Sequence, residues 1–170
     1  MKTLYLLRHA KSSWDDPGTP DLDRPLAPRG RRASKRIARH VRQSGIAPEL
    51  VLCSPSVRTR ETLEAVRAAL GDPEVRFVPE LYAASNPALL GAVRQVEPTV
   101  GALLVVGHNP GLHELAVRLT GLGDDALRTR LREQLPTGAL VTLSFEASSW
   151  AGLEPGAGRL VGYVVPRELG

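Results

Sequence analysis

Thr3 to Lys11 reads TLYLLRHAK, a short apolar run that ends in Arg8 and His9. A run of this length bounded by polar residues suits a buried strand, whose C-terminal end would carry the guanidinium and the imidazole to a sheet edge. In open α/β sheets that edge is where ligands bind. Alone, the pair is equally well an ordinary polar strand end. Two later apolar runs repeat the pattern and set the reading of the whole chain.

Leu50 to Cys53 is a second strand, followed by Ser54 and Pro55 as the N-cap and first-turn proline of a helix with Leu63, Val66 and Leu70 in its apolar stripe. Arg58 then lies in the first turn of that helix, where free backbone N–H groups and a guanidinium fork both suit phosphate. Gly101 to Gly107, GALLVVG, is the most hydrophobic run and ends in His108. Asn109 and Pro110 cap a helix whose Leu112, Leu115, Ala116 and Leu119 share one face.

Outward from these three ends, Arg29 to Ser44 is a helix with Ala33, Ile37, Ala38 and Val41 inside, closed by Gly45, its cations and His40 on the other faces. Glu74 to Val78 is a third strand, and Asn86-Pro87 opens a helix through Leu89, Leu90, Val93 and Val96. Ala139 to Phe145 and Gly158 to Val165 read as a hairpin with a Gly-rich turn. Leu122 to Leu135 is charged and partly helical, and His113 and Glu114 read as surface. Lys11 to Gly30, KSSWDDPGTPDLDRPLAPRG, is a loop long enough to be functional. Ser12 and Trp14 lie close enough to His9 to share a site. Asp15, Asp16, Asp21 and Asp23 read as solvated, because an aspartyl-phosphate enzyme would place its Asp-x-Asp pair directly after an apolar strand. The expected fold is α/β, a single domain over residues 1–170. Its mostly parallel central sheet is flanked by helices on both faces, with Arg8, His9, Arg58 and His108 at one edge.

At 170 residues the chain can bury about 70% of its unfolded surface without disulfides or metal. One Cys excludes an internal disulfide and fits a reducing compartment. No secretory leader precedes the first strand and no apolar run nears the ~18 residues that span a bilayer, so a cytoplasmic monomer without a membrane partner is expected. The net charge is +4, and of 22 basic residues only Lys2, Lys11 and Lys35 are lysine. The arginines fall mostly among acids on helix faces, which reads as solvated surface and not as a nucleic-acid footprint, with a few reserved for an anionic substrate.

Two fixed guanidiniums neutralise a tetrahedral dianion and the charge that develops on its equatorial oxygens during phosphoryl transfer. One neutral imidazole, its tautomer held by a hydrogen bond at the other nitrogen, can attack phosphorus, and a second can bind an equatorial oxygen as a cation. No metal or cofactor is expected, since neither H-E-x-x-H spacing nor a Gly-rich Walker loop is present. Cys53 with Arg58 offers a rival nucleophile. Only Ser54, Pro55, Ser56 and Val57 intervene, one fewer than a cysteine phosphatase loop holds, and Pro55 contributes no N–H. A small core thiol is the better reading of Cys53.

LLRHAKSSW, SPSVRTRETLE and VVGHNPGL, in that order, resemble the three signatures of the histidine phosphatase superfamily, whose fold is called phosphoglycerate mutase-like. The chain is similar in length to its single-domain phosphohistidine phosphatases of the SixA type, and the match runs from the first strand to about Gly121. This resemblance implies His9 as the nucleophile, Arg8, Arg58 and His108 as the phosphate pocket and Ser12 as a secondary phosphate contact. Ala10 stands where the family usually has Gly, and Asp15 where many relatives have Asn, so no contact is assigned to Asp15. Mutase and phosphomonoesterase relatives place a Glu in an L-x-E pattern after the third strand. Here Leu81-Tyr82 is followed by Ala83, and the nearby Glu80 reads as solvated.

That gap bears on the substrate. An alkoxide leaving group needs a proton in the transition state, and a positioned acid is worth ~10² to 10⁴ in rate. The imidazole of a phosphohistidine departs with little help, so the expected substrate is a phosphorylated protein carrying phosphohistidine. A phosphomonoesterase acting on a small phosphorylated metabolite with Glu80 as its acid is one alternative, and a noncatalytic phosphate-binding module is another.

Overall fold

The computed structural model describes residues 1–170. Strands β1 (Lys2–Arg8), β2 (Leu50–Cys53), β3 (Glu74–Phe77), β4 (Ala102–Gly107), β5 (Thr120–Gly123), β6 (Leu140–Phe145) and β7 (Gly158–Val164) form one sheet in the order β3-β2-β4-β1-β6-β7-β5. Only β6 runs against the others, antiparallel to β1 and β7. Helices α1 (Pro28–Ser44) and α2 (Val57–Arg67) cover one face, and α3 (Asn86–Arg94), α4 (Gly111–Leu119) and α5 (Asp125–Glu133) the other.

Two-sided burial explains why β2 and β4 are apolar throughout and why β1 carries an unbroken apolar run from Leu4 to Leu7. Leu4, Leu6, Leu103 and Val105 pack with Leu89, Val93, Leu112 and Leu115. Their neighbours Leu7, Val51, Leu104 and Val106 pack with Ile37, Val41, Leu63 and Val66. Parallel register then aligns the strand ends: Arg8 pairs with Gly107, and Cys53 with Val106. The chain therefore leaves three adjacent strands at one level, at His9, Ser54 and His108.

Several local expectations are corrected. Ser56, not Ser54, caps α2, its hydroxyl accepting from the Thr59 amide at 3.3 Å, and Pro55 precedes the helix. Pro110 itself offers α4 no side-chain cap; the side-chain Oδ1 of Asn109 accepts from the His113 amide at 3.2 Å. His113 is not a surface residue, since its half-buried ring bonds through Nε2 to the Leu131 carbonyl. Thr120–Gly123 adds an unforeseen edge strand. β6 and β7 are antiparallel neighbours as a hairpin requires, but residues 146–157 join them as a long loop. Trp150 in that loop is fully buried, and its indole N–H donates to the Val100 carbonyl at 2.8 Å, so the loop folds back under the N-terminal end of β4. No helix is long and apolar enough to cross a membrane.

Candidate active site

His9 sits one residue beyond β1 and is 7% exposed. Its Nδ1 lies 2.7 Å from the Ala10 carbonyl, which can only accept, so Nδ1 carries the proton and Nε2 keeps its lone pair. The Ala10 amide donates to Thr62 Oγ1 at 3.0 Å, and that hydroxyl donates to the Arg58 carbonyl at 2.7 Å. This relay ties the end of β1 to the first turn of α2. Burial lowers the His9 pKa to about 4; the cations Arg58, Arg8 and Arg24 add to the shift and the Ala10 bond opposes it. His9 is thus a neutral, oriented imidazole at pH 7.

The His108 ring lies 5.4 Å from that of His9, centre to centre. Its Nδ1 is 3.5 Å from an Arg58 nitrogen, which only donates, so Nε2 carries the proton and donates to Ser54 Oγ at 2.7 Å. Burial, with His9 and Arg58 beside it, pushes its pKa down to about 3, against the pull of Asp21. The imidazole expected as a cation is therefore neutral, because burial and the neighbouring guanidiniums disfavour its charge. Arg8 donates to the Leu135 carbonyl at 3.0 Å, and both Arg8 and Arg58 keep a buried, unpaired Nε.

Asp21, read as a solvated loop acid, is in the pocket. The loop after Ser12 brings it over the C-terminal edge of the sheet, where its main-chain carbonyl and carboxylate accept from Arg58 at 2.7 and 3.1 Å. Tyr82 also donates to that carboxylate, and Arg24 donates to its other oxygen at 3.1 Å. These bonds, Tyr82 first, hold its pKa at about 2, so it is an anion. Arg24 is 7% exposed and donates to Ser12 Oγ at 2.8 Å while its guanidinium stacks 3.5 Å from the centre of the Trp14 ring. Ser12 is buried beneath it and bridges Leu26.

These groups line an open cleft of about 310 Å³ that holds Arg8, His9, Ser12, Arg58 and His108 together. Trp14, Asp21, Arg24, Tyr82 and Ala83 complete its walls with Lys11, Asn109 and Thr137. Glu80 is exposed and outside it, as is Asp15. Cys53 is fully buried in the core beside β4, and burial pushes its thiol up to about 12, which disfavours the thiolate a nucleophile needs. No three His, Cys, Asp or Glu side chains gather as a metal site would require. Sequence reading missed Asp21, Arg24, Tyr82 and Thr137. Only the three-residue spacing of Asp21 and Arg24 hinted at a local pair.

Chemically, the cleft offers one nucleophilic imidazole, two guanidiniums with unused donors and a single carboxylate that stays ionised. A family model described as histidine phosphatase superfamily (branch 1) matches residues 4–86. An uncharacterized protein of Mycobacterium tuberculosis is 39% identical over 163 residues, covering 95% of this chain and all of the relative. The phosphohistidine phosphatase SixA of Escherichia coli is 29% identical over 119 residues, 68% of this chain and 73% of that protein. A solved structure from Nakamurella multipartitia that carries the SixA name superposes with a TM-score of 0.82 at 31% identity, over 97% of this chain and 96% of that one. With near-full coverage at that identity, the same sheet and the matching family model, the chain belongs to the histidine phosphatase superfamily.

Proposed function

We propose that this phosphatase hydrolyses phosphohistidine on proteins through a covalent intermediate on His9. The observation that carries the reading is that the only carboxylate lining the cleft, Asp21, is held ionised by Arg58, Arg24 and Tyr82. It has no proton to give a departing alkoxide, Glu80 lies outside, and Ala83 brings no acid. Phosphohistidine does not need one. The likeness to Escherichia coli SixA, named a phosphohistidine phosphatase, supports the same substrate class.

In the first step His9 Nε2 forms a bond to phosphorus while the substrate's P–N bond breaks. The electron pair passes to the leaving imidazole nitrogen, whose ring departs neutral when its other nitrogen already holds a proton. Arg8 and Arg58 donate to the equatorial oxygens. His108 takes up a proton from solvent as the dianion arrives and then donates as well. Water next attacks phosphorus, the bond to His9 breaks, and inorganic phosphate leaves with the water's proton transferred to a phosphate oxygen or to solvent.

The test is a phosphoenzyme trap on wild type and His9→Ala, using a protein phosphorylated on histidine and an alkaline quench. Acid-labile label on His9 in wild type, and none in the variant, is expected. Substrate consumed with no label at His9 would overturn the covalent step, and hydrolysis of alkyl phosphates as fast as phosphohistidine would overturn the substrate class.

A further inference from the structure

A second cavity of about 190 Å³ adjoins the active-site cleft and shares Lys11 and Thr137 with it. Its walls carry four cations, Lys11, Arg29, Arg36 and Arg167, and no acid. None of the four is in an ion pair. The adjacent Glu168 is taken by Arg130. Holding unpaired like charges together costs free energy that an incoming anion returns. Arg29 and Arg36 lie seven residues apart on α1, hence on one face and ~10 Å apart along the axis. A third cavity shares Arg36 and continues the line past Arg39 and His40. Arg39 there donates to the Gly170 carbonyl at 3.1 Å, so the free cations are those of the second cavity, and their spacing suits carboxylates spread over a protein surface.

We infer that the cleft of Lys11, Arg29, Arg36 and Arg167 docks Asp and Glu side chains that flank the phosphohistidine of the protein substrate. It selects that substrate by charge, leading it toward His9 from the Lys11 side. This rests on the phosphohistidine activity proposed for the adjoining site. Complementary charge of this kind acts mainly on encounter and specificity.

Two peptides with a central phosphohistidine, one flanked by Glu and one by Gln, are compared with free phosphohistidine as substrates of the full chain and of R29E/R36E. Wild type is expected to prefer the Glu peptide by about tenfold in kcat/KM, a preference that shrinks as salt rises. The variant loses the preference but hydrolyses free phosphohistidine at the wild-type rate, and R29Q/R36Q falls between. Equal rates on the two peptides in wild type, or a preference kept in the variant, would overturn the docking site and leave the activity standing. An equal loss on free phosphohistidine would reassign the cleft to small anions. Failure of wild type on all three substrates would sink the underlying activity instead.

Discussion

Whether an imidazole attacks or merely binds depends on which nitrogen holds its proton, and in His9 the Ala10 carbonyl decides this. Its pKa, about 4, lies below the ordinary 6.5, so lowering the pH protonates the ring only well into the acid range. His9 ring resonances are expected to stay unshifted from pH 8 to about 5 and to move near 4. Movement centred at 6.5 would show that water reaches the ring freely. Asp21 sets a second expectation, because its carboxylate occupies the guanidinium that a phosphoryl group would use. Asp21→Asn keeps the shape and removes the competing charge, so inhibition by sulfate should tighten by ~3- to 10-fold. Unchanged sulfate affinity would show that the carboxylate does not compete. His9, Arg8, Arg58 and His108 were legible because each stands beside an apolar run that announces a strand end. Asp21 and Tyr82 were not, because only the folded loops bring Asp21 to Arg58 and Tyr82 to Asp21, and Arg24 shows in the sequence only as a cation three residues from Asp21.

Elements reach the site through close backbone approaches. A Cβ on Gly30 would stand 2.1 Å from the Lys11 carbonyl, so the first turn of α1 lies directly against the chain leaving His9. Gly30→Ala should cost ~1–3 kcal/mol and lower kcat, since the strand end must shift. Gly91 in α3 has nothing within 4 Å of such a Cβ, and Gly91→Ala should raise stability by ~0.5–1 kcal/mol. Urea midpoints of the two variants check both signs, and a stabilised Gly30→Ala would refute the close approach. Helix faces and most strands were readable from apolar spacing, whereas caps were less so. Ser54 looked like the cap of α2, but its amide still bonds the Val106 carbonyl at 3.1 Å and its hydroxyl serves His108, so the helix begins only after Ser56. β5, Thr-Gly-Leu-Gly, has no apolar run and forms only because β7 offers it an edge.

Across the whole molecule the parallel sheet separates stability from chemistry. Trp150 and the buried Lys2, whose ammonium donates to the Val100 carbonyl at 2.9 Å, seal the N-terminal end, opposite the cleft. Trp150→Ala should cost ~3–5 kcal/mol while the folded fraction keeps its kcat. A large loss of kcat at full folding would show the two ends to be coupled. The α/β layering was legible because apolar runs and amphipathic helices alternate along the chain. The reversal of β6 beside β1 was not, since pairing between residues so far apart leaves no local mark. That placement has a consequence for synthesis. β1 is made before the other strands, yet it lies between β4 and β6, whose residues 102–107 and 140–145 emerge only after β2 and β3. At ~5–20 residues per second, a newborn β1 waits roughly 5–20 seconds for its first partner. Protease probing of stalled chains should find it unprotected until β4 has left the ribosome, and earlier protection would disprove the delay. Through that interval Leu4, Leu6 and Leu7 form an open, sticky edge, so slower synthesis lengthens the time over which this strand needs shielding.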